Sequence, residues 1–155
     1  MPRIEVITEV DAPIETVFDL SRSIEVHEEG QVSKKERAIS GRTLGLIENG
    51  ESVTWEAVHF GIKQRLTSKV TKMERPTYFR DSMISGAFKR FDHDHIFETN
   101  EHGMTRMIDV FDYASPLGFL GRIADMLFLE AYMTKLLRER NSEIKNIAES
   151  KNDTN

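Results

Sequence analysis

The C-terminal part of the sequence, residues 115–149, has the pattern of one long amphipathic helix. Ser115 can cap this helix, and Pro116 stands where a missing N–H costs nothing. At 1.5 Å per residue, the helix would be roughly 50 Å long. Apolar residues recur along it at helical spacing: Leu120, Ile123, Ala124, Leu127, Phe128, Ala131, Leu136, Leu137, Ile144 and Ile147. Such a helix must lie on an equally apolar partner.

The residues before this helix indicate what the partner is. Residues 4–10 are rich in β-branched side chains and predict a first strand. Asp11 and Pro13 are typical of a helix start, with Asp11 as the capping carboxylate, and residues 23–31 predict a second short helix or a loop. Short turns separate six further predicted strands: 33–39, 52–60, 62–73, 78–84, 88–99 and 104–113. An antiparallel meander with helices on one face is an α+β architecture.

Length and charge limit the functions open to the chain. Its 155 residues predict one domain over 1–149 and a disordered tail over 150–155. The net charge of −5 argues against a nucleic-acid-binding surface, and the lack of cysteine excludes disulfides and thiolate chemistry. The most apolar stretch, 117–129, is too short to span a bilayer. With no apolar run at the N-terminus, we expect a cytoplasmic protein.

Several stretches resemble the START-like, birch-pollen-allergen-like superfamily, also called SRPBCC. They are D-A-P-I-E-T-V-F at 11–18, the segment 53–68, F-R-D at 79–81, and the segments 86–98 and 105–118. The last four are similar to a bacterial subgroup of polyketide-cyclase/dehydrase-like proteins. The resemblance implies a helix-grip fold, in which a curved antiparallel sheet wraps around the C-terminal helix after two short helices. It also implies an apolar cavity between the sheet and that helix.

Strand alternation predicts which side chains face the cavity, because residues two apart share a face. The predicted inward faces carry Trp55 and His59; Phe91, His93, His95 and Phe97; and Met107, Asp109 and Phe111. In the strand 78–84, the face of Phe79 and Asp81 competes with that of Tyr78 and Arg80, and the pattern does not decide between them. Adding Phe119, Ile123 and Leu127 from the helix completes the predicted ligand-binding set.

His95 and Asp109 lie on neighbouring predicted strands, where a histidine–carboxylate pair is geometrically plausible. Such a pair could transfer protons as a catalytic acid and base. The spacing of His93 and His95 could also bind a metal ion, with Asp109 or His59 as third ligand. Two histidines alone are a weak metal motif, so we predict hydrogen-bonded cavity histidines without a metal or other cofactor.

Three functions therefore remain open at this point. The first is a binding protein for a small hydrophobic or amphipathic molecule, without catalysis. The second is a cyclase or dehydratase using His95 and Asp109. The third is a protein-interaction module whose cavity is filled by its own side chains. The expected partner is a small hydrophobic molecule, with no nucleic acid and no membrane span, and a homodimer is compatible with the sequence.

Overall fold

In a computed structural model, which describes residues 3–115 and 128–153, the chain forms one seven-stranded antiparallel sheet with helices on one face. The strands have the spatial order β1-β7-β6-β5-β4-β3-β2. In chain order the elements are β1 (Arg3–Val10), α1 (Ile14–Ser21), α2 (Ile24–Gly30), a 3₁₀ turn (Val32–Lys34), β2 (Arg37–Gly41), β3 (Ser52–His59), β4 (Ile62–Glu74), β5 (Tyr78–Ser85), β6 (Arg90–Thr99), β7 (Thr105–Ala114) and α3 (Glu130–Asp153). The predicted α+β helix-grip fold is confirmed.

The sheet is curved, and its pairing pattern gives a physical reason. The register shifts once between β2 and β3, at Ala38 to Ser40. It shifts twice more between β4 and β5, next to Ser68 and after Val70. An extra residue on one strand bends that strand and increases its local twist. The three irregularities therefore bend the half of the sheet that contains β2, β3, β4 and β5.

The two short helices begin differently from each other. Pro13 precedes α1 in an extended conformation, and no side chain caps that helix. The predicted capping role of Asp11 is thus wrong, because Pro13 takes the N-cap position. The backbone N–H of Asp11 donates to the Glu149 carboxylate at 3.0 Å. At α2, the Ser23 hydroxyl accepts from the backbone N–H of Val26 at 3.3 Å, as an N-cap does.

The long helix α3 differs from the prediction at its C-terminal end. It runs to Asp153, so residues 150–153 of the predicted disordered tail are helical. Further contacts hold this end against the last residues of β1 and the residues that follow it. The Asn152 side chain donates to the Asp11 carbonyl at 3.0 Å, and Lys145 donates to the Glu9 carbonyl at 2.6 Å. At the other end, the predicted start of the helix at 116–127 lies outside the described residues.

The C-terminal half of α3 packs against β1, α1 and α2 in a closed core. Phe18 of α1 lies at the centre of this core, with edge-on contacts to Phe79 and Phe97. Helix α2 comes very close to α3 at Gly30, where a Cβ atom would lie 3.1 Å from the Cα of Arg140. Glycine at position 30 therefore permits the close helix contact that brings Arg140 against the sheet.

Candidate functional site

A cavity of about 460 Å³ lies between the sheet and the N-terminal half of α3. Its walls are mostly apolar and aromatic. They include Ile24, Val53, Trp55, Leu66, Phe79, Phe88, Phe91, Phe111, Leu129, Met133, Leu136 and Leu137. Residues from five strands and three helices contribute to the lining. Each strand turns one face of its alternating residues inward. Within the described residues, the sheet and α3 thus leave a space between them.

Six of the twelve predicted site residues line this cavity. Trp55, His59, Phe91, His93, His95 and Phe111 all do so. On β5, the inward face is the one that carries Phe79 and Asp81, and both residues line the cavity. Phe79 is 3% exposed and stacks on the imidazole of His95 at a ring distance of 4.0 Å.

The remaining predicted residues lie elsewhere. Phe97 and Met107 are buried in the closed core rather than in the cavity wall, where Phe97 packs on Phe18 and the Met107 sulfur accepts from Ser21. Asp109 is fully buried behind the histidines. Phe119, Ile123 and Leu127 lie outside the described residues.

The histidines at the cavity floor pair differently from the prediction. His93 Nε2 donates to Asp109 Oδ1 at 2.8 Å, and His95 Nε2 donates to Asp81 Oδ1 at 2.7 Å. His95 and Asp109 are directly opposite in the strand register. The distance from His95 Nδ1 to Asp109 Oδ1 is 3.4 Å, which is longer than in the other two pairs. Side chains of this length reach diagonal neighbours as easily as the residue opposite. The predicted His95–Asp109 contact is therefore present at 3.4 Å, and two shorter pairs accompany it, one to each neighbouring strand.

Two residues of α3 complete this cluster. The Arg140 guanidinium donates to Asp109 Oδ1 at 3.1 Å and lies 3.3 Å from His95 Nδ1. The Asn141 amide donates to Asp109 Oδ2 at 2.7 Å. Arg140 and Asn141 are 4% and 1% exposed. A helix thus supplies both the counter-charge and an extra hydrogen bond for a carboxylate buried on the sheet.

Helical spacing could have identified Arg140 before the structure did. Leu136, Arg140 and Ile144 follow one another at intervals of four, which places them on one face of the helix. Arg140 is not among the apolar residues that predict the helix, and a lone arginine at such a position is usually solvated. A charge in phase with buried leucine and isoleucine was the missed signal.

The environment sets the charges of the cluster. Burial alone would raise the pKa of Asp109, but hydrogen bonds from His93 and His95 and the Arg140 charge hold it well below its usual value. Burial also opposes the ionised form of Asp81, yet the His95 hydrogen bond leaves its pKa lowered. Burial and the neighbouring His95 lower the pKa of His93. For His95, hydrogen bonds to Asp109 and Asp81 outweigh burial, and its pKa is raised.

A second polar group lies near the exposed end of the cavity. His59 Nδ1 is 2.6 Å from the hydroxyl of Tyr132, and Tyr132 packs against the exposed ring of Phe60. Gln31 lines the cavity nearby and is 4% exposed. Its Nε2 donates to the Leu136 carbonyl at 3.0 Å, while its Oε1 has no hydrogen-bond partner among the described residues. A buried carbonyl oxygen without a donor is a place where a bound molecule can contribute one.

Comparisons with solved structures identify the fold. The protein TTHA0849 of Thermus thermophilus superimposes with a TM-score of 0.77 at 17% identity, covering 96% of this chain and 98% of that one. A START superfamily protein of Mycobacterium smegmatis gives a TM-score of 0.71 at 12% identity, with 96% and 97% covered. The chain therefore has a START-like fold. The Panax ginseng major latex-like protein 151 shares this START-like fold, with a TM-score of 0.70 at 12% identity and coverage of 95% and 97%.

The sequence matches no protein-family model and no curated protein sequence. Identities of 12–17% to these structures establish the fold alone. The function must therefore be inferred from the residues of the site. Within 3–115 and 128–153, no helix combines the length and the apolar character that crossing a membrane requires.

Proposed function

We propose that this START-like protein binds one small apolar or amphipathic molecule in the cavity between the sheet and α3, without chemically changing it. The observation that carries this proposal is the cavity itself, which is about 460 Å³ in volume and walled mainly by aromatic and aliphatic side chains. Small-molecule sites typically have volumes of about 300–1,000 Å³ and combine apolar walls with a few polar groups. Burial of apolar ligand surface would supply most of the affinity.

The polar groups suggest how such a ligand is oriented. Gln31 Oε1 can accept a hydrogen bond from a hydroxyl or N–H group of the ligand. The acceptor is buried, so a ligand lacking that donor would leave it without a partner. His59 near the exposed end and His93 and His95 at the floor offer further polar contacts in the cavity. We therefore favour a ligand with an apolar body and at least one hydrogen-bond donor.

The geometry favours binding over the two alternatives. A cyclase or dehydratase using His95 and Asp109 needs both groups within reach of a substrate. Asp109 is fully buried, and Arg140, Asn141 and His93 already occupy its oxygens. An interaction module with a filled core does not account for a cavity of this volume. Binding requires no group beyond those that face the cavity.

Filling the cavity is expected to abolish binding. Ser68 is a small, buried residue of β4 in the cavity wall, so Ser68→Phe would place a ring in the space of the ligand. The probe is N-phenyl-1-naphthylamine, an uncharged apolar molecule with a single N–H, whose fluorescence rises in an apolar site. We expect saturable binding with one probe per wild-type chain, and at least a tenfold loss of affinity in Ser68→Phe.

Lys69→Phe is the matched control, since Lys69 is exposed and follows Ser68 on the opposite face of the same strand. This variant adds the same ring outside the cavity and should bind the probe as the wild type does. Equal binding by Ser68→Phe and Lys69→Phe, with both proteins folded by circular dichroism, would place the probe outside the cavity and count against the proposal.

A further inference from the structure

Three side chains at the cavity floor bring ligating atoms together. Asp81 of β5 and His93 and His95 of β6 each offer one such atom, and the three atoms lie within 4.8 Å of one another. His95 Nε2 is 2.7 Å and His93 Nδ1 is 3.9 Å from the same oxygen, Asp81 Oδ1. The two imidazole rings are 3.8 Å apart between centroids. We propose that Asp81, His93 and His95 bind one divalent first-row transition-metal ion.

The groups behind the histidines support this assignment. Metal-binding histidines usually donate their second N–H to a carboxylate, which fixes the ring and its tautomer. Asp109 is in that position for both rings, at 2.8 Å from His93 Nε2 and 3.4 Å from His95 Nδ1. His93 therefore carries its proton on the side of Asp109 and presents the free lone pair of Nδ1 towards Asp81.

Binding of the metal ion would replace one hydrogen bond of this cluster, the one between His95 and Asp81. His95 Nε2–H donates to Asp81 in the structure, so the cation would take the place of that hydrogen. The Nε2 proton is released to solvent as the cation binds. The proton on Nδ1, which faces Asp109 at 3.4 Å, stays on the ring, and His95 becomes a neutral imidazole. Arg140 and Asn141 keep their hydrogen bonds to Asp109, so the second carboxylate remains compensated.

The donor set restricts the kind of metal. Two imidazoles and one carboxylate suit zinc, iron(II), cobalt and nickel, whereas calcium and magnesium prefer sites made of oxygen ligands. Asp81 Oδ1, His93 Nδ1 and His95 Nε2 approach the ion from the strand side, and all three residues line the cavity. The remaining coordination positions would face the cavity, where water or a donor atom of a bound molecule can fill them. This inference stands without the proposed organic ligand.

Equilibrium dialysis against Zn²⁺, with metal content determined by mass spectrometry, tests the site. We expect one Zn²⁺ per wild-type chain. Asp81→Asn keeps the shape of the side chain and removes its charge, and it should weaken binding at least about 100-fold, beyond the 10–100-fold effect typical of outer-shell changes. His93→Ala should have a similar effect. Asp92→Asn and His102→Ala are the controls, since Asp92 lies on the outer face of β6 and His102 is exposed on a turn.

Co²⁺ provides a second measurement on the same proteins. Its visible absorption bands should appear with one equivalent in the wild type and be absent in Asp81→Asn. The assignment would be overturned if the folded wild type bound no Zn²⁺ or if Asp81→Asn bound it as tightly as the wild type. An equal loss of Zn²⁺ affinity in the control His102→Ala would also overturn it. Titration of the metal-free wild type with N-phenyl-1-naphthylamine separates this result from the proposed function. If the wild type binds the probe and binds no Zn²⁺, the metal site alone is rejected.

Discussion

Replacing Arg140 with methionine is expected to lower the free energy of unfolding by about 3–5 kcal/mol, because it removes one partner of a buried charge pair. Arg140 is 4% exposed, and Asp109, which accepts its hydrogen bond at 3.1 Å, is fully buried. Methionine fills a similar volume, so the loss reports mainly the uncompensated carboxylate. Urea unfolding monitored by circular dichroism measures the effect, with midpoint and slope analysed together.

Arg138 offers the matched control on the same helix. It is exposed, and Arg138→Met should change the free energy of unfolding by less than about 0.5 kcal/mol. The double variant Arg140→Met/Asp109→Asn adds a test of the pairing, since two interacting residues give less than the sum of their separate effects. Strict additivity, or equal effects of Arg140→Met and Arg138→Met, would contradict the buried pair.

Phe18→Ala is expected to have an effect of similar size at the closed end of the fold. The ring of Phe18 is 1% exposed and contacts Phe79 and Phe97 at centroid distances of 5.6 and 5.3 Å. Truncating a buried phenylalanine removes its transfer free energy and leaves a cavity, which together cost about 3–5 kcal/mol. The same unfolding experiment measures this loss.

The control for this variant is Phe60→Ala, because Phe60 is 57% exposed beside the cavity. Its truncation should change stability by less than about 0.5 kcal/mol. Phe18→Leu, which keeps much of the apolar volume, should lose less than Phe18→Ala and remains folded enough to measure. A Phe18→Ala protein as stable as Phe60→Ala would mean that α1 does not close the core as described.

The sequence predicted the fold well because its signals are local. Alternating side chains and short turns placed all the strands except β2 to within about two residues at either end, since each strand pairs mainly with its chain neighbour. The end of α3 was missed for a non-local reason. The polar residues 150–153 have no apolar pattern, and contacts such as that of Asn152 with Asp11, distant in sequence, hold them in place.

The candidate site was only partly predictable. Alternation placed His93 and His95 on the inner face of β6, and the structure agrees. It could not tell which carboxylate each histidine would bind, because Asp81 and Asp109 lie on opposite neighbours of the same strand. Gln31 was also missed, since a single glutamine near the end of a short helix gives no periodic signal. Its role depends on α3 passing over it, which only the tertiary structure shows.

The most direct test of a ligand cavity is the position of a bound probe, given by intermolecular nuclear Overhauser effects between N-phenyl-1-naphthylamine and the labelled protein. We expect contacts to buried side chains of the cavity wall, namely Val53, Leu136 and Leu137 together with the rings of Phe91 and Phe111. Contacts confined to the exposed side chains Phe60, Ile62 and Phe128 would show binding on the outer surface and contradict the account.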